Sequence, residues 1–116
     1  MNFKLRGSDS TEQMEINRKI GRIGERIAKA EYRKNGYYTL DVKSGMFFDF
    51  AAVRFLDKKL DLVFVECKVG NARMSKRQIW FKRWCEKAGQ NFFLYRIANE
   101  RMRYLMENEI GVGDSQ

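Results

Sequence analysis

The sequence predicts a single α/β domain in which a mixed β-sheet is flanked by helices, in the order α-β-β-β-α-β-α. Three observations carry this reading. Ile16, Ile20, Ile23 and Ile27 recur at helical spacing; three segments rich in Val, Phe and Tyr follow, separated by turn residues; and a second helical segment with its own capping signals precedes a fourth strand-like run. With 116 residues, the chain is long enough to bury about two-thirds of its unfolded surface but too short for two cores. Residues 1–116 therefore form one domain, with an ordered core expected over about 10–109.

The first helix is expected from about Thr11 to Asn35, with Ser10 and Gln13 as a capping box and Gly36 as its stop. At about 100° per residue the four isoleucines form one stripe that must face the core. Gly21, Gly24 and Ala28 make a second face of small residues, open to close approach by another backbone. Arg18, Arg22, Arg26, Lys29 and Arg33 fill a third sector, and Glu25 sits on the seam between the small face and the basic one. Strands are expected at about Tyr37–Val42, Met46–Phe55 and Leu60–Val69, as a meander with turns at Lys43-Ser44-Gly45 and Asp57-Lys58-Lys59. The second helix spans about Lys76–Ala88, capped by Ser75 and closed by Gly89, with Trp80, Phe81, Trp84, Cys85 and Ala88 as its apolar face. Those aromatics are expected in the core, not as platforms for bases. A strand at Asn91–Ile97 and a polar, Met-bearing helix at about Asn99–Asn108 complete the chain.

Composition narrows the function. The formal charge is +8, from 23 Lys and Arg against 15 Asp and Glu, and the basic residues are spread along the chain, which favours a polyanionic partner. There is no histidine, which excludes Ser-His and Cys-His nucleophiles and the His-containing zinc sites. Cys67 and Cys85 lie in apolar segments without CxxC spacing and read as reduced core residues. No apolar run approaches the roughly 18 residues that span a bilayer, and the first residues lack the apolar core of a signal peptide. An intracellular protein without a membrane partner is expected. Any chemistry falls to carboxylates and lysines.

Two charges interrupt the third strand, Val63-Phe64-Val65-Glu66-Cys67-Lys68-Val69. A period of two puts Glu66 and Lys68 on one face, and burying them costs several kcal/mol unless partners or a metal compensate. Asp49 repeats the anomaly among Phe47, Phe48, Phe50, Ala51 and Ala52. Whether it joins the other two depends on the hairpin. Pairing Leu56 with Lys59 or with Asp61 brings all three to one face, whereas pairing Leu56 with Leu60 does not. An even loop or a bulge is expected. More ordinary roles compete: an exposed ion pair for Glu66 and Lys68, a turn position for Asp49, an i,i+4 pair with Lys29 for Glu25, and a capping box with Ser75 for Gln78.

Asp49 followed by Glu66-Cys67-Lys68 resembles the D…ExK signature of the PD-(D/E)xK nuclease superfamily. Gly21-Arg22-Ile23-Gly24-Glu25-Arg26, with Tyr32 and Gly36-Tyr37, is similar to the opening of archaeal Holliday junction resolvases. Ser75-Lys76-Arg77-Gln78, with Trp84, Gly89 and Leu94-Tyr95-Arg96, resembles the motif after ExK in several nuclease families, including the virus-type replication-repair nucleases. The likeness covers roughly residues 20–97, and Phe48 stands where the motif's proline would be. It implies a restriction-endonuclease-like domain that hydrolyses DNA phosphodiesters with Mg²⁺ or Mn²⁺, selective for DNA structure and for branched DNA in particular, and acting as a homodimer in a cytoplasm, a host's if the chain is viral.

The resemblance further implies site roles. Asp49, Glu66 and the backbone carbonyl of Cys67 would hold the metal, which acts as a Lewis acid on the scissile phosphate. Lys68 would orient the attacking water or neutralise developing charge, and Glu25 would assist from the first helix through water or a second ion. Gln78 is a candidate contact for substrate or water. Lys76, Arg77, Arg22 and Arg26 are candidate phosphate contacts, as are Lys82 and Arg83. The rival readings are a non-catalytic nucleic-acid-binding protein that retains the nuclease fold, and a binding module for an acidic protein.

Overall fold

The computed structural model describes residues 10–43 and 47–109, apart from the side chains of Ser10 and Glu109. Helix α1 spans Ser10–Lys34, followed by β1 Tyr38–Asp41, β2 Phe50–Leu56, β3 Lys59–Val69, α2 Lys76–Ala88, β4 Asn91–Ile97 and α3 Asn99–Glu109. The sheet is mixed and ordered β1-β2-β3-β4, with β3 antiparallel to β2 and parallel to β4. The expected capping by the Ser10 side chain, the loop position of Ser44 and the strand position of Met46 lie outside the described residues.

Helix α1 stops because Gly36 adopts φ +88°, while the Tyr37 N–H donates back to the Tyr32 carbonyl at 3.1 Å. Its isoleucine stripe is buried as expected: Ile20 and Ile23 pack with Ile97 and with Met102 of α3, flanked by Ile16 and Ile27. The small-residue face divides. Ala28 sits in a cluster with Phe50, Ala52, Val63 and Val65, and Gly24 lets Ile97 and Val69 approach, whereas a Cβ on Gly21 would meet nothing within 4 Å.

The β2–β3 hairpin decides the geometry of the centre. Leu56 pairs with Lys59, so the loop is two residues, Asp57 at φ 52° and Lys58 at φ 65°. Both occupy the left-handed region that matches the twist of a two-residue hairpin. The register carries Phe50 opposite Val65 and leaves Asp49 just beyond the strand, beside Glu66, its N–H donating to the Val65 carbonyl at 2.9 Å. Strand β2 thus starts at Phe50 and not near residue 46. Pairing ends there because the Asp49 side chain takes the Cys67 N–H that a strand carbonyl would otherwise accept.

Helix α2 covers only part of the sheet's second face. Phe81 packs against Phe48, Phe64 and Phe92, and Cys85 is fully buried. Trp80 and Trp84, expected in the core, are 59% and 47% exposed. The apolar arc read from the sequence is about 140° wide at helical spacing, and only its Phe81–Cys85 edge meets the strands. On the same face as Phe64, the register groups Tyr38 with Val53 and Phe55 with Leu60, and Tyr38, Leu40, Phe55 and Leu60 remain exposed. No helix among the described residues is long and apolar enough to cross a membrane.

Candidate active site

Residue types that repel burial converge just before the start of β2 and at the C-terminal end of β3. Oδ2 of Asp49 accepts the Cys67 N–H at 2.7 Å, which fixes its carboxylate against β3. Glu66 is 1% exposed. Its Oε2 lies 3.1 Å from the Lys68 ammonium and accepts from the Gln78 amide nitrogen at 2.7 Å. Its Oε1 is buried with no hydrogen-bond partner.

Gln78 reaches Glu66 because the start of α2 holds it. Its backbone N–H donates to Ser75 Oγ at 3.2 Å and its side-chain oxygen accepts the Ser75 N–H at 2.8 Å. The amide oxygen is committed to the cap, so the nitrogen faces the carboxylate. The capping role and the site role coexist in one side chain.

Arg18, Gly21, Arg22 and Glu25 of α1, with Asp49, Glu66, Cys67, Lys68 and Gln78, line one cavity of about 410 Å³. The sequence-derived set therefore meets in space, with differences in detail. Glu25 lines the cavity and also pairs with Lys29 at 3.1 Å, and Lys29 in turn pairs with Asp41. Arg26, Lys76 and Arg77 do not line it; Lys76 and Arg77 are exposed in the first turn of α2. Arg18 lines the cavity and belongs to none of the motifs that carry the resemblance. Its signal lay in helical spacing, since it is one turn before Arg22 and two before Glu25.

No family model matches the chain, and neither does any curated protein or solved structure. The chemistry rests on the geometry itself.

Burial pushes the Glu66 carboxyl up to about 7, the nearby Asp49 charge adds to this, and the bond and charge of Lys68 oppose it. Burial likewise raises the Cys67 thiol, which keeps it protonated and unsuited to nucleophilic or thiolate-ligand roles. Cys85 is also a free, buried thiol. No group of three or more Asp, Glu, Cys or His side chains among the described residues is arranged to hold a metal ion alone. Any cation here would rely on two carboxylates, backbone and water, a donor set that suits Mg²⁺ better than zinc.

Proposed function

We propose that the chain is a divalent-cation-dependent nuclease of the PD-(D/E)xK kind, with a restriction-endonuclease-like fold, acting on DNA. The observation that carries this reading is the convergence of Asp49 and Glu66 on one cavity, where Glu66 Oε1 is buried with no hydrogen-bond donor. A carboxylate oxygen kept from water and given no hydrogen bond is an unfavourable arrangement that a cation would relieve.

The donor set fits Mg²⁺ or Mn²⁺, held by Asp49, Glu66 and the Cys67 carbonyl with water in the remaining positions. Bound there, the ion would supply Lewis-acid polarisation of the scissile phosphate. Lys68 sets a fixed positive charge at the carboxylate pair, where negative charge grows as the phosphodiester is attacked. Gln78 holds Glu66 in its rotamer, and Arg18 and Arg22 offer cations to the phosphates from the α1 side of the cavity. Glu25, tied to Lys29, assists through water at the same cavity. Branched DNA is the favoured substrate class by resemblance.

The exposed patch of the sheet formed by Tyr38, Leu40, Phe55 and Leu60 is apolar apart from the Tyr38 hydroxyl. A second copy related by a two-fold axis would bring no like charges together there, which supports a homodimer. The non-catalytic alternative draws on the two bonds that already hold Glu66 Oε2. The test is a cleavage assay across linear, flapped, single-stranded and four-way DNA with Mg²⁺, Mn²⁺ or EDTA. Metal-dependent nicking that is lost in Glu66→Ala and Lys68→Ala is expected; metal-independent binding with no nicking of any substrate would establish the non-catalytic protein instead.

A further inference from the structure

On the side of α2 away from Trp80 lies a cavity of about 580 Å³, between α2, the 71–74 loop and β4. Its size falls within the range of small-molecule sites. Four cations line it, Arg73, Lys82, Arg83 and Arg96, against one carboxylate, Glu86. Arg96 is anchored through Nη1, which donates to the carbonyls of Gly70 at 2.5 Å and Ala72 at 2.9 Å. Among the described residues, the side chains of Arg73, Lys82 and Arg83 make no hydrogen bond or ion pair. Lys29 and Arg54, by contrast, are engaged with Glu25 and Asp61. Three unpaired cations beside an anchored fourth concentrate a positive potential that an oxyanion would neutralise.

The remaining lining is apolar, supplied by Met74, Ile79 and Leu94. An apolar floor under a cationic rim matches a nucleotide, with its base or sugar on the floor and its phosphate on the rim. The position is also specific. In the parallel register Lys68 pairs with Arg96 and Glu66 with Leu94, and directly paired residues point to the same face about 4.8 Å apart. The cavity thus begins one strand over from the candidate active site.

We propose that this cavity binds a phosphate-bearing nucleotide of the nucleic-acid substrate, a subsite distinct from the carboxylate centre. As a substrate subsite it rests on the nuclease reading, while its binding of nucleic acid is measurable without cleavage. The phosphate has two sources, the end of a 5′-phosphorylated strand or an internal phosphodiester.

The experiment follows fluorescence anisotropy of a short 3′-labelled single strand, carrying either a 5′-phosphate or a 5′-hydroxyl, on the full chain in EDTA over a salt series. Lys82→Gln/Arg83→Gln removes two cations from the cavity, and Lys58→Gln/Lys59→Gln removes the same charge at the hairpin tip; Arg73→Gln probes the loop wall separately. All these side chains are exposed, so matching melting curves are expected. The cavity pair should weaken binding roughly tenfold and lower the salt slope by about 1 to 2, with the hairpin pair within about threefold of wild type. A preference for the 5′-phosphate that disappears in the cavity pair assigns the terminal source. Equal weakening of both strands assigns the internal one. Equal effects of the two pairs, or no binding by the wild-type chain, would overturn the subsite. Because EDTA is present, an inert carboxylate centre would leave the anisotropy result standing, and a cleaving protein whose two pairs bind alike would lose the subsite alone.

Discussion

The side-chain nitrogen of Gln78 stands 2.7 Å from Oε2 of Glu66, so the first turn of α2 is tied to the charged stretch of β3. The bond makes the environment of one carboxylate depend on the capping box of a helix that follows it in the chain. It also places Glu66 where its charge state is coupled to folding.

Glu66→Gln tests that coupling. The folded-state pKa is raised to about 7 from 4.5, so the stability this group contributes is fully present below about pH 4.5 and is lost as pH rises through about 7. Ionising it in the folded chain costs on the order of 3 kcal/mol. Glu66→Gln should therefore be more stable than wild type at pH 8 in EDTA, with the gap closing near pH 4.5, as read by urea unfolding at both pH values. A constant gap would mean that Glu66 does not titrate in this window.

Mg²⁺ should counter the same penalty. If Asp49 and Glu66 hold the ion, millimolar Mg²⁺ raises the melting temperature of the wild-type chain at pH 8 by ligand linkage and leaves Asp49→Asn unchanged. Lys68→Ala should lower the cleavage rate by roughly 10²-fold or more while retaining the Mg²⁺-dependent melting shift. An Asp49→Asn protein that still gains stability from Mg²⁺ would move the ion elsewhere.

The hairpin loop offers a stability test away from the site. Lys58 has φ 65° without being glycine. Lys58→Gly should stabilise the fold by about 0.5–1 kcal/mol, because relief of the left-handed strain exceeds the added unfolded-state entropy. Calorimetry that finds the substituted protein less stable would contradict the two-residue turn.

Gly24 of α1 faces Ile97 and Val69 of the sheet. A Cβ there would stand 3.5 Å from both Ile97 and Val69, which is ordinary contact, so Gly24→Ala should be neutral or stabilising by up to about 1 kcal/mol. Gly24→Leu has no such room and should destabilise by about 1–3 kcal/mol. Chemical denaturation of the two proteins separates these outcomes.

The exposed sheet face predicts assembly. Tyr38 is 78% exposed and Phe55 77%, and Tyr38→Asp/Phe55→Asp should convert a dimer to a monomer in size-exclusion chromatography with light scattering. A wild-type chain that runs as a monomer at tens of micromolar, about the range of a weak interface, would remove the homodimer.

Local chemistry made much of this legible in the residues alone. The capping box of Ser75 with Gln78 and the Gly89 stop fixed the limits of α2 at Lys76–Ala88, and the isoleucine spacing identified the buried stripe of α1. These signals act between residues a few positions apart, so they survive without knowledge of the fold. The pairing of Glu66 with Lys68 was equally visible, since strand period alone places them on one face.

Tertiary structure decided what depends on distant partners. Asp49 joins Glu66 only because the loop holds two residues, and one residue more would have turned it to the opposite face. Trp80 and Trp84 lie outside because α2 meets the sheet along the Phe81–Cys85 edge, a tilt no helical wheel contains. Hydrophobic patterning says which side chains favour burial; only the packing of one element on another settles which of them obtain it.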